Sequence, residues 1–390
     1  MSTTSKRRPF RRTRSLRLER ASRWGRLLAA LLVTVATLSI LATAEPAAAR
    51  WSRVPVGTEC TDGVLILGYS DRLDKATFDG TNVGGLSALA HDAARDRYYG
   101  LVDNEEGTQA RFYSMSIAQP GGRSFAGPTL LDVTTLTDRG GTPFTDTTLD
   151  GEGMAVTEHG TLLVASEVEP SIREFSSSGR ELRELPIPER FLVAPQGEGQ
   201  ANQSIESLTL APDGRTLYSA TESRLLVDGD GQIRVLRHDL PGIRGAQVSG
   251  EFYYQTDAGL SVGELLAYSE TELLVLERTY TPDVGNTIRI YLTSTAGAQD
   301  VSNVASLDGA GIAPLPKELL VDIVTCPPGD ATVKQPQPNP LLDNFEGMAF
   351  GPVVNGGYQT LYLLSDDNFN PVQVTRVIAL GIDQDLLTPS

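Results

Sequence analysis

The sequence predicts an all-β protein with a β-propeller-like fold, in which five repeats form five or six four-stranded blades and an N-terminal strand closes the ring. Short apolar segments alternate with Gly, Asp, Asn and Pro, and long helical periodicity is scarce. One pattern recurs five times, starting at positions 84, 152, 206, 264 and 346, and each interval is long enough for four strands. An open β-sandwich with regular hairpins is the alternative architecture.

The N-terminal segment predicts export. Residues 1–26 carry ten Lys or Arg and one acid, Glu19, and an apolar run follows over residues 27–42. Two A-x-A cleavage sites come next, ending at Ala44 and Ala49, so residues 1–49 are interpreted as a signal peptide of a secreted protein. Arg7 and Arg8 resemble part of a twin-arginine signal. The alternative is an uncleaved N-terminal anchor, which would be the protein's one link to a membrane.

Residues 50–390 are interpreted as a single domain with a strongly acidic surface. Loss of ten basic and two acidic residues with the signal peptide changes the net charge from −16 to about −24. Such a surface repels nucleic acid and anionic lipid, and it suits cations. We expect a monomer without a nucleic-acid partner.

Two cysteines, Cys60 and Cys326, are the only ones in the chain. In an exported protein they predict one disulfide bond that joins the start of the domain to its later part. Two free, buried thiols are the alternative. The C-x-x-C spacing of a metal site is absent.

Each repeat begins with a short entry sequence and ends with an acidic strand end. The entry reads EGMA at residues 152–155 and 346–349, ESLT at 206–209, ELLA at 264–267, and, as a weaker copy, GGLS at 84–87. The apolar strand that follows the turn ends at Glu167, Asp366, Glu222, Arg278 and Asp103, respectively.

Antiparallel pairing places the start of one strand beside the end of the next. This geometry predicts five pairs at one face of the ring, around its central channel: Glu152 with Glu167, Glu206 with Glu222, Glu346 with Asp366, Glu264 with Arg278, and Gly84 with Asp103. Up to eight carboxylates and one Arg would therefore converge there. The rim residues Asp367, Asn368 and 104–106 would add further oxygen ligands.

Converging carboxylates indicate a site for Ca²⁺ or another divalent cation, because hard cations take six to eight oxygen ligands. The predicted metal ligands are Asp103, Glu152, Glu167, Glu206, Glu222, Glu346 and Asp366. The predicted catalytic residues are Glu152, Glu206, Glu346 and Arg278. The alternative is structural: the Glu of each entry would accept hydrogen bonds from the backbone of a neighbouring blade.

The ends of the chain predict how the ring closes. Residues 64–69 form an apolar strand without a nearby hairpin partner, whereas the last repeat has only three strands, at 345–350, 360–364 and 375–380. The N-terminal strand would complete that blade. The long interval after position 264 leaves room for an irregular sixth blade between Ile288 and Thr325.

The repeat sequences resemble the phytase-like domain family, also described as "esterase-like activity of phytase". The resemblance rests on GGLS at 84–87, DGEGMA at 150–155, SIESL at 204–208 and NFEGMA at 344–349, and on the strand ends LVDN at 101–104 and LSDDN at 364–368. It covers roughly residues 60–385. It implies an exported bacterial protein with a propeller-like fold that hydrolyses phosphoric or carboxylic esters. It also implies calcium dependence and basic groups that hold phosphate; Arg278 is the one basic residue at the matched positions, and Arg224 lies next to Glu222.

These observations predict a secreted, phytase-like, metal-dependent hydrolase that acts on small phosphoric esters at an acidic propeller mouth. The alternative is a non-catalytic extracellular propeller that binds a carbohydrate, a peptide or a component of the cell envelope. A serine esterase of the α/β-hydrolase type is disfavoured because the chain has no G-x-S-x-G motif. No Arg-His-Gly-x-Arg sequence is present, which excludes histidine-phosphatase chemistry.

Overall fold

The computed structural model describes residues 57–103, 107–120, 125–240, 245–354 and 356–388. The predicted signal peptide lies outside these ranges. Within them the protein is all-β: 23 strands form five sheets of four or five strands and one two-stranded sheet, and helix is limited to three short 3₁₀ segments. The all-β prediction is confirmed.

Blades 1 to 4 are each built from four consecutive antiparallel strands. Blade 1 comprises β5 (Leu86–Asp92), β6 (Arg97–Val102), β7 (Arg111–Ile117) and β8 (Pro128–Thr135). Blade 2 comprises β9 (Gly151–Val156), β10 (Leu162–Ser166), β11 (Ser171–Phe175) and β12 (Glu181–Leu185). Blade 3 comprises β13 (Ile205–Leu210), β14 (Thr216–Thr221), β15 (Gln232–Asp239) and β16 (Gln247–Gln255). Blade 4 comprises β17 (Ser261–Ala267), β18 (Glu272–Thr281), β19 (Gly285–Ser294) and β20 (Lys317–Asp322).

Blade 5 joins the two ends of the described chain. Its strands β21 (Phe345–Val354), β22 (Tyr358–Ser365) and β23 (Val377–Asp383) are followed in the sheet by β2 (Val64–Ser70) and β1 (Thr58–Thr61). Strand β2 pairs antiparallel with β23, which confirms the predicted closure by residues 64–69. The remaining elements are the small hairpin of β3 (Thr77–Phe78) and β4 (Thr81–Asn82) and the 3₁₀ segments Glu189–Phe191, Ile323–Thr325 and Gln384–Leu387.

The ring has five blades. The region between Ile288 and Thr325 contains β19 and β20, which pair with each other as the outer strands of blade 4, so it forms no sixth blade. The innermost strands β5, β9, β13, β17 and β21 contact one another in this order, and β21 contacts β5 again. This closed succession defines a propeller and excludes an open sandwich.

Five of the six hydrophobic clusters among the described residues lie between neighbouring blades, one for each pair. Leu101 and Met154 belong to the cluster between blades 1 and 2, and Ile290 and Leu363 belong to the one between blades 4 and 5. The alternating apolar residues of each strand therefore stabilise the contacts between blades rather than one central core.

The glycine of the EGMA entries allows the innermost strands to approach each other. A Cβ atom on Gly153 would lie 2.7 Å from the backbone nitrogen of Leu208 in blade 3. A Cβ atom on Gly347 would lie 2.8 Å from the backbone nitrogen of Leu89 in blade 1. Real Cβ atoms essentially never come this close, so the second residue of the entry is fixed by the packing of the ring.

Cys60 and Cys326 form a disulfide bond, as predicted, with a separation of 266 residues along the chain. The bond connects β1 at the outer edge of blade 5 to the segment that follows β20 of blade 4. Among the described residues, no helix is long and apolar enough to span a membrane.

Candidate functional site

The candidate site is built from a β-bulge that recurs in the innermost hairpin of every blade. Near its start, each innermost strand has one residue more than the strand it pairs with. The residues at this position are Ser87, Glu152, Glu206, Gly263 and Glu346. A bulge bends the strand and redirects its side chain, which is why bulges are frequent beside functional sites.

A second recurring position lies at the end of the second strand. The backbone N–H groups of Asp103, Glu167, Glu222 and Asp366 donate to carbonyl groups at the start of the first strand, at 2.6, 3.2, 2.8 and 2.8 Å, respectively. In blade 4 Arg278 takes this place and pairs with Ser261. The ladder thus positions four carboxylates and one guanidinium around the axis.

All seven predicted metal ligands and Arg278 line one cavity of about 530 Å³ at this end of the channel. We call it the mouth. Sequence reasoning missed Asp150 and Asn344, which also line it. Asp150 lies opposite Glu167 in its hairpin, and Asn344 lies opposite Asp366. The antiparallel pairing used to predict the strand-end acids could therefore have identified both residues from the sequence. The predicted rim residues 104–106 lie outside the described residues.

The predicted pair of Glu264 and Arg278 is wrong. Glu264 stands opposite Leu276, one residue beyond the bulge, and Gly263 occupies the position that carries Glu in blades 2, 3 and 5. Glu264 is 2% exposed, and its Oε1 accepts from the backbone N–H groups of Leu265 and Leu208 at 2.9 and 3.4 Å. Glu264 therefore has the structural role given above as the alternative, in which an entry Glu accepts hydrogen bonds from the backbone of the neighbouring blade.

The prediction that Gly84 is the blade 1 counterpart of the entry Glu is also wrong. Ser87 takes the bulge position of blade 1, and Gly84 and Gly85 precede the strand. Cβ atoms on these two glycines would lie 3.1 and 2.4 Å from the ring of Phe369. The two glycines are needed to accommodate that ring, and they do not replace a carboxylate.

Arg278 neutralises one side of the mouth. Its Nη2 lies 2.7, 2.9 and 3.3 Å from carboxylate oxygens of Glu206, Glu346 and Glu222. Asn344 donates to Glu346 at 2.9 Å. Burial raises the pKa of Glu206 and Glu346, whereas the charge of Arg278 lowers it. Gly263 makes room for this side chain, because a Cβ atom there would lie 3.0 Å from Cδ and Nε of Arg278.

The mouth also holds two groups of carboxylates that could share a cation, and Glu152 belongs to both. One ligand oxygen each from Asp103, Asp150 and Glu152 lies within 4.8 Å of the others, and the same holds for Glu152, Glu167 and Glu206. Glu167 is 7% exposed, and its Oε2 has no hydrogen-bond partner among the described residues. An unsatisfied, buried carboxylate oxygen is costly, and a hard cation is the partner that such an oxygen set fits.

Burial and mutual repulsion perturb these acids strongly. The pKa of Asp103 is raised to about 10, first by burial and then by its hydrogen bond with Asp150. The pKa of Glu167 is raised to about 7 by burial and by the charge of Asp150. Burial, followed by the charge of Glu206, raises the pKa of Glu152 well above its usual value. A bound cation would favour the ionised forms and relieve this repulsion.

The fold and the mouth define a five-bladed β-propeller with an acidic site on its axis. The chain belongs to the phytase-like family, described as "esterase-like activity of phytase", which matches residues 81–369. The resemblance noted from the repeats is thereby confirmed.

More distant likenesses were found among curated proteins and solved structures. An uncharacterised secreted protein of Arthroderma benhamiae is 27% identical over 125 residues, which cover 24% of this chain and 24% of that protein. The periplasmic gluconolactonase of Pseudomonas aeruginosa is 13% identical, with a TM-score of 0.35 over 82% of this chain and 95% of that one. The hydrazine synthase of Kuenenia stuttgartiensis is 12% identical, with a TM-score of 0.35 over 75% of this chain and 81% of that one.

Proposed function

We propose that this protein is an exported hydrolase of phosphoric esters that depends on a divalent cation bound at the mouth. The observation that carries the proposal is a pair of carboxylate triads that share Glu152. Asp103 and Asp150 form one triad with Glu152, whereas Glu167 and Glu206 form the other, and the oxygens of each triad lie within 4.8 Å of one another. Oε2 of Glu167 is buried without a partner among the described residues. Membership of the phytase-like family supports ester hydrolysis as the reaction class.

The two sides of the mouth take different roles in this proposal. Asp103, Asp150 and Glu152 would hold the cation, and Glu167, which shares the second triad with Glu152, would lie beside it. The all-oxygen donor set favours Ca²⁺. When bound, the cation would supply Lewis acidity and positive charge to an otherwise acidic cavity. Arg278 fixes the positions of Glu206 and Glu346 and adds a positive charge where an anionic ester group would enter.

The first test is phosphate release from phytate and from 4-nitrophenyl phosphate, with Ca²⁺ and with a chelator. We expect release from at least one of these esters that requires the cation and is lost in Glu152→Gln, together with weaker Ca²⁺ binding in calorimetry. Glu184→Gln, at an exposed position of β12, is the matched control and should behave as the wild type. The absence of release with any divalent cation, from folded protein, would refute the proposal.

Export is tested separately from catalysis. Expression of the full chain in a bacterial host should yield an extracytoplasmic protein whose first residue follows Ala44 or Ala49, as determined by intact mass. A mature protein that retains residues 1–49 would contradict the proposed signal peptide.

A further inference from the structure

A second layer of polar residues surrounds the mouth beyond the carboxylates, and it consists of carboxamides. Seven of the 17 residues that line the cavity are Asn or Gln, and five of the chain's ten Asn residues are among them. Six form what we call the collar: Asn202, Asn286, Gln335, Asn368, Asn370 and Gln373. Half of the asparagines thus lie in one cavity, and four of them belong to the collar.

Part of the collar is held in place by the hairpin of blade 4. Strands β18 and β19 extend beyond Arg278, so Tyr280 and Asn286 stand opposite each other above the acidic ring. The backbone N–H of Asn286 donates to Oε1 of Gln337 at 2.7 Å. This bond attaches the proline-rich loop of residues 327–340 to the hairpin. Gln335 of the same loop is thereby brought to the wall of the cavity.

Two amide groups of the collar lack partners although they are buried. Asn286 is 2% exposed, and neither its Nδ2 nor Nε2 of Gln335 has a hydrogen-bond partner among the described residues. A buried amide without a partner costs free energy that an acceptor oxygen of a ligand would recover. Both groups therefore point to a ligand with acceptor oxygens.

The charge of the surroundings restricts what that ligand can be. Arg278 is the one basic residue among the described residues of the lining, and three carboxylates already surround it. A polyanion would meet the carboxylates without a matching cluster of basic groups. Hydroxyl groups, in contrast, both donate to and accept from carboxamides. Tyr280, which is 51% exposed at the rim, offers a ring face on which a sugar can pack.

We propose that the collar binds a neutral polyhydroxylated group, a sugar or a polyol. The ester hydrolysed at the mouth would then be a sugar or polyol ester with few negative charges, and this second statement rests on the proposed function. The cavity volume of about 530 Å³ lies in the range of small-molecule sites.

The test measures binding of uncharged probes, so that it is independent of hydrolysis. Maltose, cellobiose and sorbitol are titrated into the full chain by calorimetry, with chelator and with Ca²⁺, beside inositol hexakisphosphate. We expect at least one neutral probe to bind in both conditions. Asn286→Ala and the isosteric Asn286→Asp should each weaken binding about tenfold, as for the loss of a hydrogen bond at a desolvated site.

Asn303→Ala, at an exposed position of the 295–316 loop, is the matched control and should leave the affinity unchanged. Ca²⁺ affinity should be unaffected in Asn286→Ala. Three results would each overturn the proposal: no binding of any neutral probe at millimolar concentration, equal affinity in both Asn286 variants and the wild type, or binding of inositol hexakisphosphate alone. Sugar binding without phosphate release would leave the collar intact and refute only the hydrolase.

Discussion

Replacement of Arg278 by Gln should destabilise the metal-free protein and convert its side of the mouth into a cation site. The Arg278 side chain is 17% exposed, and its Nη2 lies within 3.3 Å of three carboxylates. The variant Arg278→Gln leaves Glu206, Glu222 and Glu346 together without this counter-charge. The guanidinium occupies a place where a divalent cation would meet the same oxygens.

The magnitude follows from the burial of the group. Removal of one partner from a buried ion pair costs about 3–5 kcal/mol, because the remaining charge stays desolvated. For a domain of this size that corresponds to a fall in Tm of roughly 4–7 °C. Arg139→Gln is the matched control: Arg139 is 61% exposed with a single partner, Glu181 at 3.0 Å, and such surface pairs are worth about 0–1 kcal/mol.

The dependence on pH has a definite sign. The charge of Arg278 lowers the pKa of Glu206 and Glu346, so its loss raises both pKa values further above those of the unfolded chain. A group with a raised pKa in the folded state contributes stability at low pH that is lost as the pH rises. The difference in stability between the wild type and Arg278→Gln should therefore be smaller at pH 5 than at pH 7.

Calorimetric unfolding in chelator at both pH values, followed by addition of Ca²⁺, measures these effects. Ca²⁺ should raise the Tm of Arg278→Gln more than that of the wild type, because the released carboxylates gain a ligand. A Tm equal to that of the wild type in chelator at pH 7 would refute the reasoning, as would a deficit that does not change at pH 5.

Three further substitutions test the ring itself. Glu264→Gln keeps the Oε1 acceptor but removes a buried acid, and burial raises the pKa of that acid well above its usual value. The variant should therefore have a larger free energy of unfolding than the wild type, and this difference should increase as the pH rises above about 4.5. A difference that does not depend on pH would contradict the raised pKa. Replacement of both Cys60 and Cys326 by Ser should cost about 4–5 kcal/mol in denaturant unfolding, because the bond closes a loop of more than 250 residues; equal midpoints with and without a reductant would argue against it. Gly153→Ala should cost about 1–3 kcal/mol in the same assay, since its Cβ would meet the Leu208 backbone at 2.7 Å, and an unchanged midpoint would show that the blades separate easily.

The repeat pattern predicted the fold because a propeller repeats one structural unit, the four-stranded blade, around a ring. Hairpin spacing limited the number of blades to five or six, and the unpaired strand at residues 64–69 predicted the closure. In blades 2, 3 and 5 the entry Glu also marked a residue of the mouth, since Glu152, Glu206 and Glu346 all line it. These features are set by short segments of the chain, so they can be predicted from one sequence.

The wrong predictions arose where a blade departs from the repeat pattern by one residue. In blade 4 the order is Gly263-Glu264, the reverse of Glu-Gly, and this reversal moves the carboxylate away from the mouth and into contact with blade 3. The three partners of Arg278 come from blades 3 and 5, so their distances depend on how the blades pack. The collar draws on loops of several blades that share no motif, and nothing in the sequence brings them together before the ring closes.

Closure of blade 5 by the first strand has a consequence for the site. Glu346 and Asp366 are carried by the blade that is completed last, and its sheet requires β2 from the beginning of the domain. The complete ring of acids therefore requires both ends of the described chain, and the Cys60–Cys326 bond ties β1 of this last blade to blade 4.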